Sequence, residues 1–226
     1  MGTDNIFHKR KAKNASELSR KKASRAPYAK VLIVCEGKKT EPNYFNELKD
    51  YLALNSANVK VTGDCDSSPI SVVEYAIQRY SKESILGDPF EKIFCVFDKD
   101  THSTYPQALE KLQNANPKNT FCAITSVPCF EYWLLLHFGH TTAPFQSSDQ
   151  KSAADRVIDE LRKHIPNYRK GDNSIFCTLI ERLSQAKTYA EKALKDEQTN
   201  RTDNPSTHVH ELVTYLQNIK NSDKNP

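Results

Sequence analysis

Asp98 and Asp100 stand one residue apart where the apolar run Lys92-Ile-Phe-Cys-Val-Phe-Asp98 ends. A run of this length, rich in aromatic and β-branched residues, predicts a buried strand. Strand side chains two residues apart point the same way, so two acids there repel unless positive charge lies between them. A divalent metal ion would supply that charge; a solvated turn in which Asp caps the next segment is the plainer alternative. Glu36 closes a second apolar run, Lys30-Val-Leu-Ile-Val-Cys35, just before Gly37. Glu36, Asp98 and Asp100 brought to one sheet edge predict an octahedral oxygen site, which suits Mg2+ or Mn2+ better than zinc. Glu131 follows a further strand-like run and is a candidate ligand for a second ion, although the dipole of a helix favours an acid in its first turn in any case. Lys38, Lys39 and Lys99 are candidate phosphate contacts. Lys170, in the basic loop Ile165-Pro-Asn-Tyr-Arg-Lys-Gly171, is placed to hold a phosphate oxygen or neutralise transition-state charge.

The elements that must position these groups follow from periodicity. After Gly37, Thr40-Glu-Pro-Asn43 reads as a helix start with Thr as the cap, and Tyr44, Phe45, Leu48 and Leu52 form one apolar face. Asn58 to Gly63 reads as a short strand, and Ser68-Pro69 opens a helix with Ile70, Val73, Ile77 and Tyr80 at helical spacing. Pro106 opens another helix, Asn119 to Ser126 reads as a strand, and Pro128 to Phe138 as a strongly apolar helix that His137 closes. Strands alternating with helices predict an α/β fold, a mostly parallel sheet flanked by helices, with ligands bound beyond the carboxyl ends of the strands. Beyond Gly139 the pattern turns helical: roughly 149–164, 177–198 and 209–220, with Asn204-Pro-Ser-Thr207 capping the last. The expected organisation is a basic tail over 1–27, an α/β core over 28–138 and a helical extension over 139–226 packed on that core.

Charge is concentrated by position. Eight basic against two acidic side chains give the first 27 residues +6, and because the whole chain is +4 the remainder carries −2. Such an arm can attract phosphate backbones, or serve only as a solubilising leader. No apolar run approaches the length of a membrane span, and the six scattered cysteines read as buried thiols in a reducing compartment, so a cytoplasmic protein without membrane attachment is expected.

Taken together, Glu36-Gly-Lys-Lys-Thr-Glu-Pro-Asn-Tyr-Phe45, Asp98-Lys-Asp100 and Pro128-Cys-Phe-Glu-Tyr-Trp-Leu-Leu-Leu-His-Phe138 resemble the motifs of the RloB-like proteins, which look like members of the wider Toprim superfamily. Tyr168-Arg-Lys170 and Asn204-Pro-Ser-Thr207 with His210 resemble that family's later segments, while Val127 stands where the family commonly shows Asn. The resemblance implies a Toprim-like fold in which Glu36 is a metal ligand or acid/base group and Asp98 and Asp100 are metal ligands. It also implies a nuclease effector of a bacterial anti-phage defence system, held in check by an ABC-type ATPase partner.

The leading expectation is therefore a Mg2+- or Mn2+-dependent nuclease acting on DNA or RNA, transfer RNA included. A second enzyme reading exists, because Phe94-Cys-Val-Phe-Asp-Lys-Asp-Thr101 also fits the haloacid-dehalogenase nucleophile motif, with Thr125 or Ser126 as its second motif. That fold needs a later strand ending in paired acids, which the sequence past Gly139 does not offer. The non-enzymatic reading is a Toprim-like interaction module whose helical part docks onto an ATPase.

Overall fold

The computed structural model describes residues 26–99, 102–200 and 202–221, without the side chains of 198 and 200. Residues 1–25 of the basic tail and Asp100 lie outside the described residues. Four parallel strands, β1 (Val31–Cys35), β2 (Val59–Thr62), β3 (Lys92–Asp98) and β4 (Phe121–Val127), are joined by two-residue β5 (Ser206–Thr207). Their order is β2-β1-β3-β4-β5, with β5 antiparallel to β4. Register runs Val31 opposite Lys92 in β1–β3, and Asp98 opposite Ser126 in β3–β4. The carboxyl ends of β1 and β3 thus lie beside one another, which is where the sequence has its acids.

Alternation along the strands sorts the molecule into two layers of helices. Leu32, Val34, Ile93, Cys95 and Phe97 pack with α2 (Pro69–Ile85) and α3 (Tyr105–Asn114) on one face. Val31, Ile33, Cys35, Phe94, Val96 and Ile124 face α1 (Thr40–Tyr51) and α4 (Glu131–Leu135) on the other. The same buried cluster takes in α5 (Ala153–His164), α6 (Ile175–Leu179), α7 (Leu183–Asn200) and α8 (Val209–Asn218), so the helices past residue 139 share the sheet's core. Asp98 continues the series Phe94, Val96 and therefore stands on the face of α1 and α4.

Local signals behave as their chemistry requires in most places. Ser68 accepts from the Ser71 N–H with Pro69 in the first turn, and Ser152 and Asp155 form a reciprocal capping box on α5. Four sequence expectations are corrected. Thr40 does not cap α1: it is the first helical residue, Lys39 holds the cap position without a side-chain bond, and the Thr40 hydroxyl accepts from the distant Gly171 N–H instead. The apolar helix after β4 is shorter, Glu131–Leu135 rather than 128–138. The single helix predicted over 177–198 is divided into α6, a 3-10 turn over Ile180–Arg182 and α7. Ser206 and Thr207 form a strand with β4 rather than a simple cap, although the Thr207 hydroxyl still accepts from the Val209 N–H at 3.3 Å. His137 closes its segment as expected: its Nδ1 lies 3.1 Å from the Trp133 carbonyl and 3.2 Å from that of Leu134. Burial in this apolar setting pushes its pKa down to about 4, so it is neutral at physiological pH. No helix among the described residues is long and apolar enough to cross a membrane.

Candidate active site

Beyond the carboxyl ends of β1 and β3 a cleft of about 400 Å³ is lined by Glu36, Lys38, Lys39, Glu41, Asp98, His102, Glu131 and Lys170. Four different elements deliver its acids. Glu36 follows β1 directly and extends the ladder, its N–H donating to the Val96 carbonyl at 3.0 Å. One carboxylate oxygen of Glu36 accepts from the Asp98 N–H at 3.0 Å, and the other lies 3.1 Å from His102 Nε2. Asp98 ends β3, Glu131 is the first residue of α4, and Glu41 sits in the first turn of α1. The Glu41 carboxylate turns back to accept from the Gly37 N–H at 3.3 Å. A Cβ on Gly37 would come within 2.2 Å of that carboxylate, so a larger residue there would push the Glu41 side chain out of this position.

The acids are sheltered from water, with Glu36, Glu41 and Glu131 only 7, 6 and 2% exposed. Burial raises the Asp98 carboxyl well above the ordinary aspartate range, and repulsion from Glu41, Glu131 and Glu36 adds to it, while a backbone hydrogen bond from Phe130 works the other way. Glu41 is pushed up to about 7, first by burial and then by Glu131 and Glu36, against hydrogen bonds from the backbone. Lys170 answers this charge. Burial pulls its ammonium down, but Glu131, Asp98 and Glu41 outweigh it and hold the pKa above the usual lysine value. Its Nζ lies 3.7 Å from Glu131 Oε1, to which the Tyr168 hydroxyl donates at 3.2 Å.

The structure thus gathers Glu36, Lys38, Lys39, Asp98, Glu131 and Lys170 at one cleft. Lys99 goes elsewhere. Its ammonium is engaged by Asp203 and lies 5.9 Å from the Tyr105 ring centroid, and it does not line the cleft. Asp100 lies outside the described residues. Glu41 was not singled out from sequence, yet a signal was present: it lies three, four and seven residues before Tyr44, Phe45 and Leu48, on the stripe that α1 buries. His102 likewise enters unannounced, carried by the loop after β3.

Residues 31–216 match the family model described as RloB-like protein. The chain belongs to the RloB-like family. No curated protein and no solved structure matches it. The five-stranded, mostly parallel sheet flanked by helices is consistent with a Toprim-like fold for this RloB-like chain. A divalent cation fits the cleft by donor chemistry: four carboxylates supply hard oxygen ligands, and their buried excess of negative charge is what such an ion offsets. Among the described residues no three His, Cys, Asp or Glu side chains stand together as ligands of one ion, so the fit is one of charge and donor type.

Proposed function

We propose that this RloB-like chain is a metal-dependent phosphodiesterase acting on nucleic acid. One observation carries the reading: acids from β1, α1, β3 and α4 share a single cleft with Lys38, Lys39 and Lys170 along it. An acid pit bordered by lysines suits a phosphodiester, whose backbone oxygens need cations while the reaction needs anionic ligands for a metal ion. Glu36, Asp98 and Glu131, with Asp100 of the sequence motif and Glu41, are the groups that would hold one or two ions of Mg2+ or Mn2+. Bound there, the ion would lower the pKa of a water and draw negative charge from the scissile phosphate. Lys38 and Lys39 hold backbone phosphate oxygens on the side of the β1–α1 loop. Lys170, kept cationic by Glu131 and its neighbours, stabilises charge on the phosphate or the leaving oxygen. The nearby Tyr168 hydroxyl orients Glu131 by its hydrogen bond.

The role in anti-phage defence, and control by an ABC-type ATPase, belong to the same reading through the family resemblance. The haloacid-dehalogenase alternative finds little support, because beyond β4 the described residues add only the two-residue antiparallel β5, far short of a strand ending in paired acids. The decisive experiment incubates the chain, alone and with an ABC-type ATPase of the kind the family resemblance implies, with transfer RNA, plasmid and single-stranded DNA in Mg2+ or Mn2+. Cation-dependent cleavage that Asp98→Ala abolishes, with its far-UV spectrum unchanged, supports the reading. Cleavage undiminished in that variant removes it.

A further inference from the structure

One face of α1 grips a segment more than a hundred residues away. Thr40, Asn43 and Glu47 recur at helical spacing, three and seven residues apart, and so form a single polar stripe. The Thr40 hydroxyl accepts from the Gly171 N–H at 2.9 Å, and the Asn43 amide donates to the Gly171 carbonyl at 3.0 Å. Glu47 accepts from the N–H groups of Ser174, Phe176 and Cys177, the last two at 3.0 and 3.4 Å. From the other side Arg162 Nε donates to the Tyr168 carbonyl at 3.2 Å, and Tyr168 is itself bonded to Glu131. Gly171 has φ +84°, and a Cβ there would meet the Lys39 side chain at 2.9 Å.

Lys170 lies between these anchors. Its own side chain is 58% exposed and makes only a 3.7 Å approach to Glu131, too little to fix a flexible four-carbon stem. Yet both polar groups of the next residue are taken by side chains of α1, and the carbonyl two residues earlier is taken by Arg162. We propose that Thr40 and Asn43 are positioning residues that fix the peptide planes on either side of Gly171 and so aim the Lys170 ammonium into the acid cleft. The helix that carries Glu41 also sets the lysine that faces it, so acid and cation keep one spacing. This inference rests on the phosphodiesterase reading for the use made of Lys170, and on hydrogen bonds alone for the clamp.

The test has two arms. Limited trypsin digestion with mass-spectrometric readout follows cutting at the exposed Lys170–Gly171 bond in the wild type, Asn43→Ala, Thr40→Val and Thr40→Ser, with melting by circular dichroism as a folding control. Cutting about tenfold faster in Asn43→Ala and Thr40→Val, and near wild type in Thr40→Ser, is expected from the loss of one anchoring hydrogen bond. Unchanged cutting in both variants overturns the clamp, whatever the chain's activity. The second arm measures cation-dependent cleavage of single-stranded nucleic acid. Asn43→Ala should lower kcat about tenfold with KM little changed, and should cost nothing further in a Lys170→Ala background, since positioning acts through that lysine. A full additional loss in the double variant overturns positioning and leaves a purely structural bond. Absence of any cleavage by the wild type would sink the phosphodiesterase reading and the use of Lys170 with it, while the trypsin arm still decides the clamp.

Discussion

The Asp98 N–H donates to the Glu36 carboxylate at 3.0 Å across 62 residues of sequence. The bond joins the ends of two adjacent parallel strands, and it orients one acid through the backbone of another. It also keeps the Glu36 carboxylate at the cleft, where repulsion from it contributes to the raised pKa of Asp98.

Neutralising Asp98 should therefore stabilise the fold while removing its chemistry. In chelator at pH 8, Asp98→Asn should raise stability by about 1–2 kcal/mol, because the amide has no charge to desolvate beside three other acids. Mn2+ should raise the melting temperature of the wild type more than that of the variant, since a ligand that binds only the folded chain stabilises by mass action. Thermal melts with and without the ion check both statements. A variant less stable than wild type in chelator would show that the acids do not repel in the way their burial requires.

The pH dependence has a definite sign. Glu41 has a pKa of about 7 in the fold against 4.5 ordinarily. Between those values the folded chain holds a proton that the unfolded chain has released. The stability this contributes is whole below pH 4.5 and is lost as pH rises through 7, and Asp98 acts in the same direction. The loss is on the order of 2–3 kcal/mol, and Glu41→Gln should flatten the profile. Urea midpoints from pH 4.5 to 8 in chelator measure it.

Nucleic-acid binding should separate the lysines. Lys38 and Lys39 line the cleft, whereas Lys99 is occupied by Asp203. Replacing Lys38 or Lys39 with Ala should lower the slope of log K against log salt by about 0.7 to 0.9 each, and Lys99→Ala should leave it near wild type. Fluorescence anisotropy across a salt series, in Ca2+ or without divalent ions, gives the slopes. Equal effects at Lys99 and Lys38 would mean that the nucleic acid follows a different path.

Removing the Tyr168 hydroxyl tests the support beneath Glu131. Tyr168→Phe keeps the buried ring but deletes the donor to a carboxylate that is 2% exposed. A loss of about 1–3 kcal/mol in urea denaturation is expected, because the change leaves a buried acceptor without its donor. The same variant should lower kcat more than it raises KM.

How much of this was legible beforehand depends on where the determining force acts. β1 and β3 announced themselves as apolar runs that lead into acids, so the sheet edge and the positions of Glu36 and Asp98 could be read directly, whereas β2 offered only a short alternation of Val with polar residues. The burial of Glu41 was legible in the stripe it shares with Tyr44, Phe45 and Leu48, but its repulsion by Glu131 and Glu36 was not, because only the packing of α1 and α4 brings those acids to it. Lys99 looked like its neighbours until the fold brought Asp203 to it. Thr40 had the chemistry of a cap, but the better partner was the Gly171 N–H, 131 residues onward. Ser206 and Thr207 carry no apolar run at all, and the pairing with β4 follows from Ser126 and Thr207, whose hydroxyls meet at 3.0 Å.

The buried cluster that joins Val31, Ile33 and Phe94 to Ala186, Val213 and Leu216 has a practical meaning. A chain cut near residue 139 would strip α5 to α8 and β5 from that cluster, leaving only α1 and α4 over this side of the sheet, and would lose Lys170 at the same stroke. Pieces made by such a cut should aggregate, so the cleft has to be studied in the intact chain.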